Sequence, residues 1–172
     1  MKLYHYIQRP HTTLINGILS FSCNPNADIS YYIKRSGCTT HIDIVNWMEN
    51  CFIGRSRGIR ALIIEPLQPS MDILSVQQVI NQTDLFEIDV SALQKDGLLE
   101  AVYHSPSVLT HPPQNKSDET LYKLNSINEI DFTPNDYTRL NDKKGYRFAF
   151  LRYYLLVLKN GVIPPQYIKH LK

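Results

Sequence analysis

The segment Leu3-Tyr4-His5-Tyr6-Ile7 and the residues directly after it decide how the chain begins to fold. Its tyrosines and isoleucine favour a β-strand, and Pro10 ends that strand because proline cannot donate to a sheet ladder. Residues 12–16 then predict a short helix, which Gly17 can end in a left-handed conformation. Apolar and polar residues alternate over residues 18–22, which predicts a second strand. The chain is therefore predicted to open as strand, helix and strand, with His5 on the first strand.

A helix over residues 42–51 is predicted from its cap and its apolar stripe. At its start, Thr40 and Asp43 form a pair that resembles a capping box. Four residues then recur at i, i+3, i+4 and i+7, so that face is expected to be buried, its cysteine included. These residues are Ile44, Trp47, Met48 and Cys51.

The same signals predict the remaining elements. Helices are expected at residues 27–35, with Asn26 as the cap and Gly37 after the last turn, at residues 73–80, and from residue 133. Strands are expected at residues 60–65, 85–90, 98–104 and 126–132, and a long polar loop at residues 105–119. A turn at Lys95-Asp96-Gly97 separates the second of these strands from the third.

The end of the chain is predicted to be a long helix. Its apolar stripe is carried by Phe148, Leu151, Leu155 and Leu158, and Gly161 with Pro164-Pro165 would end it. Strands and helices are thus mixed without strict βαβ alternation. We therefore expect an α+β fold: a single domain over residues 1–172, with a mixed or antiparallel sheet, packed helices and this long C-terminal helix.

Composition narrows the class of protein. A net charge of +2 is too small to indicate nucleic-acid binding by itself. The three cysteines lack C-x-x-C spacing, which argues against a disulfide framework and a structural zinc site. The sequence has no apolar run of signal-peptide kind, and its most hydrophobic segment, residues 148–158, is too short for a membrane span and contains Arg152. We expect a cytoplasmic protein, or one delivered to a host cytoplasm by a signal-less export route.

Leu3-Tyr4-His5-Tyr6, followed by Leu14-Ile15-Asn16-Gly17-Ile18-Leu19-Ser20, resembles the opening of the ADP-ribosyltransferase-like fold. Two later segments are loosely similar to the family. Leu85-Phe86-Glu87-Ile88-Asp89-Val90 is similar to a core strand, and Ser126-Ile127-Asn128-Glu129-Ile130 is similar to the strand start that supplies the catalytic glutamate.

The resemblance implies an NAD-consuming transferase, with NAD as substrate, no metal, and a protein or nucleic acid as acceptor. The role that it implies is that of a toxin or effector. Glu129 would be the catalytic carboxylate, and His5 would position the ribose on the nicotinamide side. The family's tyrosine that stacks on nicotinamide has its candidates here in Tyr31 and Tyr32, within a predicted helix. The implied NAD-binding set is His5, Tyr6, Ser20, Tyr32, Arg55 and Arg57.

Gly54-Arg55-Ser56-Arg57-Gly58-Ile59-Arg60, called here the arginine segment, is the most distinctive local cluster. Its glycines would let backbone N–H groups approach an anion, and its arginines would supply charge, as in a phosphate-binding loop. The alternative is an ordinary solvated loop between a helix and a strand. The sequence leaves both interpretations open.

Other functions remain open as well. A metal-independent nuclease or RNA-binding module would use His5, His41 or His104 as acid and base, and the arginine segment for phosphate. Cys51 with His41 or His104 could form a thiol hydrolase pair. A non-catalytic interaction module is the third possibility.

Overall fold

The computed structural model describes residues 1–7, 13–66, 84–104, 121–131, 138–139 and 146–171. Three predictions lie outside these residues: the helix at 73–80, the loop at 105–119 and the helix from residue 133. The described part contains both helices and strands, which confirms the α+β class.

Ten strands form two sheets in the described part of the chain, and every recorded pairing is antiparallel. The strands are β1 (Lys2–Ile7), β2 (Ile18–Leu19), β3 (Gly58–Pro66), β4 (Asp84–Asp89), β5 (Leu99–His104), β6 (Tyr122–Lys123), β7 (Thr138–Arg139), β8 (Tyr146–Leu158), β9 (Val162–Ile163) and β10 (Ile168–Leu171). The larger sheet has the order β10-β4-β1-β3-β8-β5-β6, with β7 also paired to β8, and the smaller one pairs β2 with β9.

The described helices are short. They are α1 (Thr13–Asn16), α2 (Ser30–Ser36), α3 (His41–Cys51) and α4 (Val90–Lys95), and 3-10 turns lie at Phe21–Cys23, Arg55–Arg57, Ile127–Glu129 and Pro165–Tyr167. None of these helices has the length and apolar character that crossing a membrane requires.

The predicted opening of strand, helix and strand is confirmed. Gly17 ends α1 with φ +80° and donates its N–H to the Thr13 carbonyl at 2.9 Å. The second strand is shorter than predicted, because Ile18 and Leu19 pair with Ile163 and Val162 and the chain then turns into a 3-10 segment.

The predicted cap of α3 is also confirmed. The Thr40 hydroxyl accepts the Asp43 N–H at 3.2 Å and donates to the Asp43 carboxylate at 2.5 Å. Of the predicted stripe, Ile44 and Met48 are buried but Cys51 is exposed, so its expected burial was wrong.

The predicted long C-terminal helix was wrong: this segment is the central strand β8. It pairs with β3 on one side and β5 on the other. Leu156 and Leu158 pack in one hydrophobic cluster, and Leu155 and Val157 pack in another. Because both faces of such a strand are covered, its sequence is a continuous apolar run without alternation, which also fits a helical stripe.

One other prediction was wrong and one had its start displaced, where side chains bond to nearby backbone. Within the predicted strand at 126–132, Ile127–Glu129 is a 3-10 turn, in which the Ser126 hydroxyl accepts the Asn128 N–H at 3.2 Å. The helix predicted at 27–35 is confirmed as Ser30–Ser36 with Gly37 after its last turn, but Asn26 does not cap it. The helix α4 was missed, although Asp89 caps it by accepting the Ala92 N–H at 3.0 Å. Such local bonds compete with regular ladders and set element boundaries.

Candidate functional site

A cleft of about 510 Å³ lies between the larger sheet and the segment that runs from β2 to α2. The sheet contributes residues from β1, β3 and β8, and α3 with the arginine segment closes one end. The lining residues are His5, Leu19, Ser20, Phe21, Asn24, Ala27, Asp28, Tyr31, Tyr32, Met48, Arg55, Gly58, Ile59, Arg60 and Leu155. We refer to this set as the cleft. Four of the residues predicted to bind NAD are in it: His5, Ser20, Tyr32 and Arg55.

The first strand holds His5 in one defined tautomer. Its Nδ1 lies 2.6 Å from the carbonyl oxygen of Arg60. Since a carbonyl can only accept, Nδ1 carries the proton, and Nε2 of the neutral ring is an acceptor. Burial lowers the pKa of His5 and the charge of Arg60 adds to this, whereas the hydrogen bond to the Arg60 carbonyl opposes it. The neutral imidazole is therefore the favoured form near pH 7.

Ser20 is set in the cleft by the small sheet. Its N–H donates to the Gly161 carbonyl at 2.8 Å, and its hydroxyl lies 3.2 Å from the Ser22 hydroxyl. Only 2% of Ser20 is exposed. Gly161 has φ +68°, and a Cβ there would lie 2.6 Å from the Ser20 hydroxyl oxygen. Glycine is thus required for this close approach.

Aromatic rings form one wall of the cleft. The Phe21 ring lies 4.8 Å from that of Tyr32 and 4.6 Å from that of His41, between centroids. His41 Nε2 donates to the Phe21 carbonyl at 2.8 Å, which ties α3 to this wall. Tyr31 packs edge-on against Tyr32 at 5.2 Å, and Arg35 lies 5.0 Å from the Tyr31 ring centroid. With Tyr31 55% exposed, the wall presents ring surface to a ligand.

The predicted anion cradle of the arginine segment is filled from within. The Glu49 carboxylate accepts the Gly54 N–H at 2.7 Å, the Ser56 N–H at 3.0 Å and the Ser56 hydroxyl at 2.5 Å. Burial raises the pKa of Glu49, but these hydrogen bonds and the charge of Arg57 outweigh it and keep that pKa below its ordinary value. An ionised side chain of the protein therefore occupies the N–H groups that we expected to bind phosphate.

Arg57 is directed away from the cleft. Its guanidinium forms two hydrogen bonds to the Glu100 carboxylate, at 2.5 and 3.2 Å, and two more to the carbonyls of Leu158 and Lys159, at 3.1 and 2.9 Å. These bonds join the arginine segment to β5 and to the end of β8. Arg57, a predicted ligand of NAD, is not part of the cleft lining.

Arg55 and Arg60 supply the positive charge of the cleft. The Arg55 guanidinium carbon lies 5.8 Å from the Phe52 ring centroid, and Arg60 is an exposed residue of β3. Arg60 belongs to the arginine segment but was not in the implied NAD-binding set. The signal was available, because it ends the arginine segment, but the sequence alone does not say which of three arginines faces a ligand.

Glu129, the predicted catalytic carboxylate, does not line the cleft. It is exposed, and its carboxylate accepts the backbone N–H of Asn125 at 3.1 Å and the side-chain amide at 3.2 Å. It follows β6, which pairs with β5, and β3 and β8 separate β5 from β1. Three strand spacings amount to about 14 Å. The structure therefore does not bring Glu129 and His5 together, and the side chain of Tyr6 lies outside the description.

Asp28 is the carboxylate of the cleft lining. Its Oδ1 accepts the hydroxyl of Ser30 at 2.6 Å and the Ser30 N–H at 2.9 Å. The bond from the hydroxyl, and then that from the N–H, lower the pKa of Asp28. Asp28, which lies two residues before the first residue of α2, thus keeps a negative charge at the cleft. Sequence reasoning missed Asp28, because it fell inside the helix predicted at residues 27–35.

The cleft also holds part of the nuclease hypothesis, since His5, Arg55 and Arg60 line it, whereas the remaining residues of the other hypotheses are dispersed. His41 is behind the aromatic wall, and His104 lies on β5 with its ring 5.5 Å from that of Tyr154. Cys51 donates its thiol to the Trp47 carbonyl at 3.5 Å. None of the three lines the cleft with His5. Among the described residues, no three His, Cys, Asp or Glu side chains come together as a metal ion would require.

Comparison of this chain with family models, curated proteins and solved structures gave no match. The chemistry of the cleft is therefore the basis for assigning a function.

Proposed function

We propose that the cleft binds NAD and that the protein is an NAD-consuming transferase of the ADP-ribosyltransferase-like type, with a protein or nucleic acid as acceptor. The observation that carries this proposal is the presence of His5, Ser20, Tyr32 and Arg55 in one cleft. These residues come from four separate segments of the chain. The sequence had suggested all four as ligands of one nucleotide: His5, Ser20 and Tyr32 through the family resemblance, and Arg55 as part of the arginine segment.

The cleft offers partners for the pyrophosphate, one heterocycle and one ribose of NAD. Arginine binds phosphate oxygens with two parallel hydrogen bonds, so Arg55 and Arg60 suit the pyrophosphate. The rings of Phe21 and Tyr32 suit a planar heterocycle, and His5 Nε2 can accept a ribose hydroxyl. The cleft volume of about 510 Å³ is within the usual range for small-molecule sites, about 300–1,000 Å³.

A carboxylate in the cleft provides the chemistry. The bond between ribose C1′ and the nicotinamide nitrogen breaks, its electron pair leaves with nicotinamide, and C1′ develops positive charge, which a nearby carboxylate stabilises. The acceptor then adds to C1′ and releases a proton. We assign the stabilising role to Asp28, because it lines the cleft and Ser30 holds its negative charge. Glu129 supplies the matched control.

Incubation of the protein with NAD, followed by chromatography for free nicotinamide, tests the proposal. We expect nicotinamide release, and a rise in melting temperature with NAD because ligand binding stabilises the folded state. Asp28→Asn should lose nicotinamide release while NAD still raises its melting temperature, and Glu129→Gln should behave as the unmodified protein. Absence of both release and thermal stabilisation in the unmodified protein would refute the function.

A further inference from the structure

We infer that Glu49 is a positioning residue for the cleft: its carboxylate replaces an external anion within the arginine segment and thereby holds Arg55 toward the ligand. This inference rests on the proposed function, because it names the device that prepares the phosphate side of the same cleft. Glu49 itself does not line the cleft.

The Glu49 carboxylate forms hydrogen bonds to the residues before and after Arg55. One carboxylate oxygen accepts the Gly54 N–H at 2.7 Å, and the other accepts the Ser56 N–H at 3.0 Å and the Ser56 hydroxyl at 2.5 Å. The two residues that flank Arg55 are thus bound to one carboxylate. Gly54 has φ +89° and Ser56 is only 3% exposed, so the backbone at Arg55 has little freedom to rotate.

The location of Glu49 is unfavourable for the helix that carries it. Glu49 lies in the last turn of α3, where the negative end of the helix dipole opposes an acidic side chain. The three hydrogen bonds compensate for this, because bonds from N–H groups to an ionised carboxylate are stronger than neutral ones. The carboxylate of Glu49 therefore stabilises the loop at some cost to the C-terminus of α3.

A second carboxylate, that of Glu100, gives Arg57 a different role from Arg55. Glu100 binds Arg57 through two hydrogen bonds, at 2.5 and 3.2 Å. Glu100 thus holds Arg57 outside the cleft lining, to which Arg55 belongs. The segment thus has one arginine that anchors it and one that faces the ligand.

The test is a double-mutant cycle with Glu49→Gln and Arg55→Ala, in which calorimetry measures the affinity for inorganic pyrophosphate. A glutamine side chain has one acceptor oxygen where glutamate has two. Glu49→Gln should therefore weaken pyrophosphate binding about tenfold, as Arg55→Ala should. If Glu49 acts through Arg55, adding Glu49→Gln to Arg55→Ala should change the affinity by less than about twofold. A merely structural role would not produce this coupling.

Asp43→Asn is the matched control, because Asp43 is on the same helix but bonds to Thr40 at the opposite end. It should lower the melting temperature and leave pyrophosphate affinity unchanged. Equal affinity in Glu49→Gln and the unmodified protein, additive effects in the double variant, or no pyrophosphate binding at all would each overturn the inference. Pyrophosphate binding with the expected coupling, but with neither nicotinamide release nor thermal stabilisation by NAD, would support Glu49 and refute only the proposed transferase.

Discussion

The Nδ1 atom of His5 lies 2.6 Å from the carbonyl oxygen of Arg60. This bond joins the first strand to a neighbouring strand of the sheet, and it determines which ring nitrogen carries the proton. Arg60 also contributes to the cleft lining. One residue therefore orients the imidazole through its backbone and is placed to contact a ligand through its side chain.

This environment of His5 predicts that stability depends on pH. Burial lowers the pKa of His5 in the folded protein, while in the unfolded chain it titrates near pH 6.5. The unfolded state therefore binds more protons as pH falls through about 6.5, and the free energy of unfolding decreases, by at most about 1.4 kcal/mol per pH unit for one group. The measurement is urea unfolding between about pH 5.5 and 7.5.

His5→Asn is the control for this prediction, because the asparagine amide can still donate to the Arg60 carbonyl but does not titrate. The variant should lose this part of the pH dependence, while the other histidines contribute equally to both proteins. An identical pH dependence in the variant would show that His5 is not responsible.

Arg57→Ala should destabilise the protein by about 2 kcal/mol, because it removes charged hydrogen bonds to the carbonyls of Leu158 and Lys159 together with a partly exposed ion pair. Glu100→Gln, which affects only the ion pair, should cost less than about 1 kcal/mol. Chemical denaturation of the two variants gives this order, and equal losses for Arg57→Ala and Glu100→Gln would contradict the anchoring role of the bonds to the two carbonyls.

Two glycines with nearly the same backbone conformation provide a test of packing. Gly17 has φ +80° and Gly37 has φ +73°. A Cβ at Gly17 would lie 2.1 Å from the Ile163 carbonyl oxygen, whereas at Gly37 it would meet nothing within 4 Å. Gly37→Ala should cost only the left-handed conformation, about 1–2 kcal/mol, and Gly17→Ala at least about 3 kcal/mol. Urea midpoints of the two variants measure the difference, and similar costs would refute the close contact between α1 and β9.

Arg60→Ala should weaken NAD binding about tenfold, or about 1.4 kcal/mol, because it removes a charged donor from the cleft while leaving the backbone carbonyl that holds His5. Lys34→Ala is the matched control, since Lys34 is an exposed cation of α2 outside the lining. It should change the affinity by less than about twofold. Titration calorimetry compares the two, and equal losses would mean that general positive charge, rather than the cleft, attracts the nucleotide.

Predictions from the sequence succeeded where a residue that ends or begins a helix and its hydrogen-bond partner lie a few residues apart. Gly17 ends α1 by bonding to Thr13, and Thr40 begins α3 by bonding to Asp43. Such contacts form within one turn of the chain, so the sequence contains both partners side by side. The strand β8 differs, because its conformation depends on β3 and β5, and its apolar run fits a helix equally well.

The candidate site shows the same division. By itself, the sequence determined that Arg55, Arg57 and Arg60 would lie close together in one glycine-containing segment, and that His5 would lie on the first strand. Only the tertiary structure decided that Arg57 binds Glu100, 43 positions further along the chain, and that Arg55 and Arg60 line the cleft. The physical reason is that three arginines have the same local propensities, and the carboxylates and carbonyls that distinguish them come within reach only when the sheet has formed.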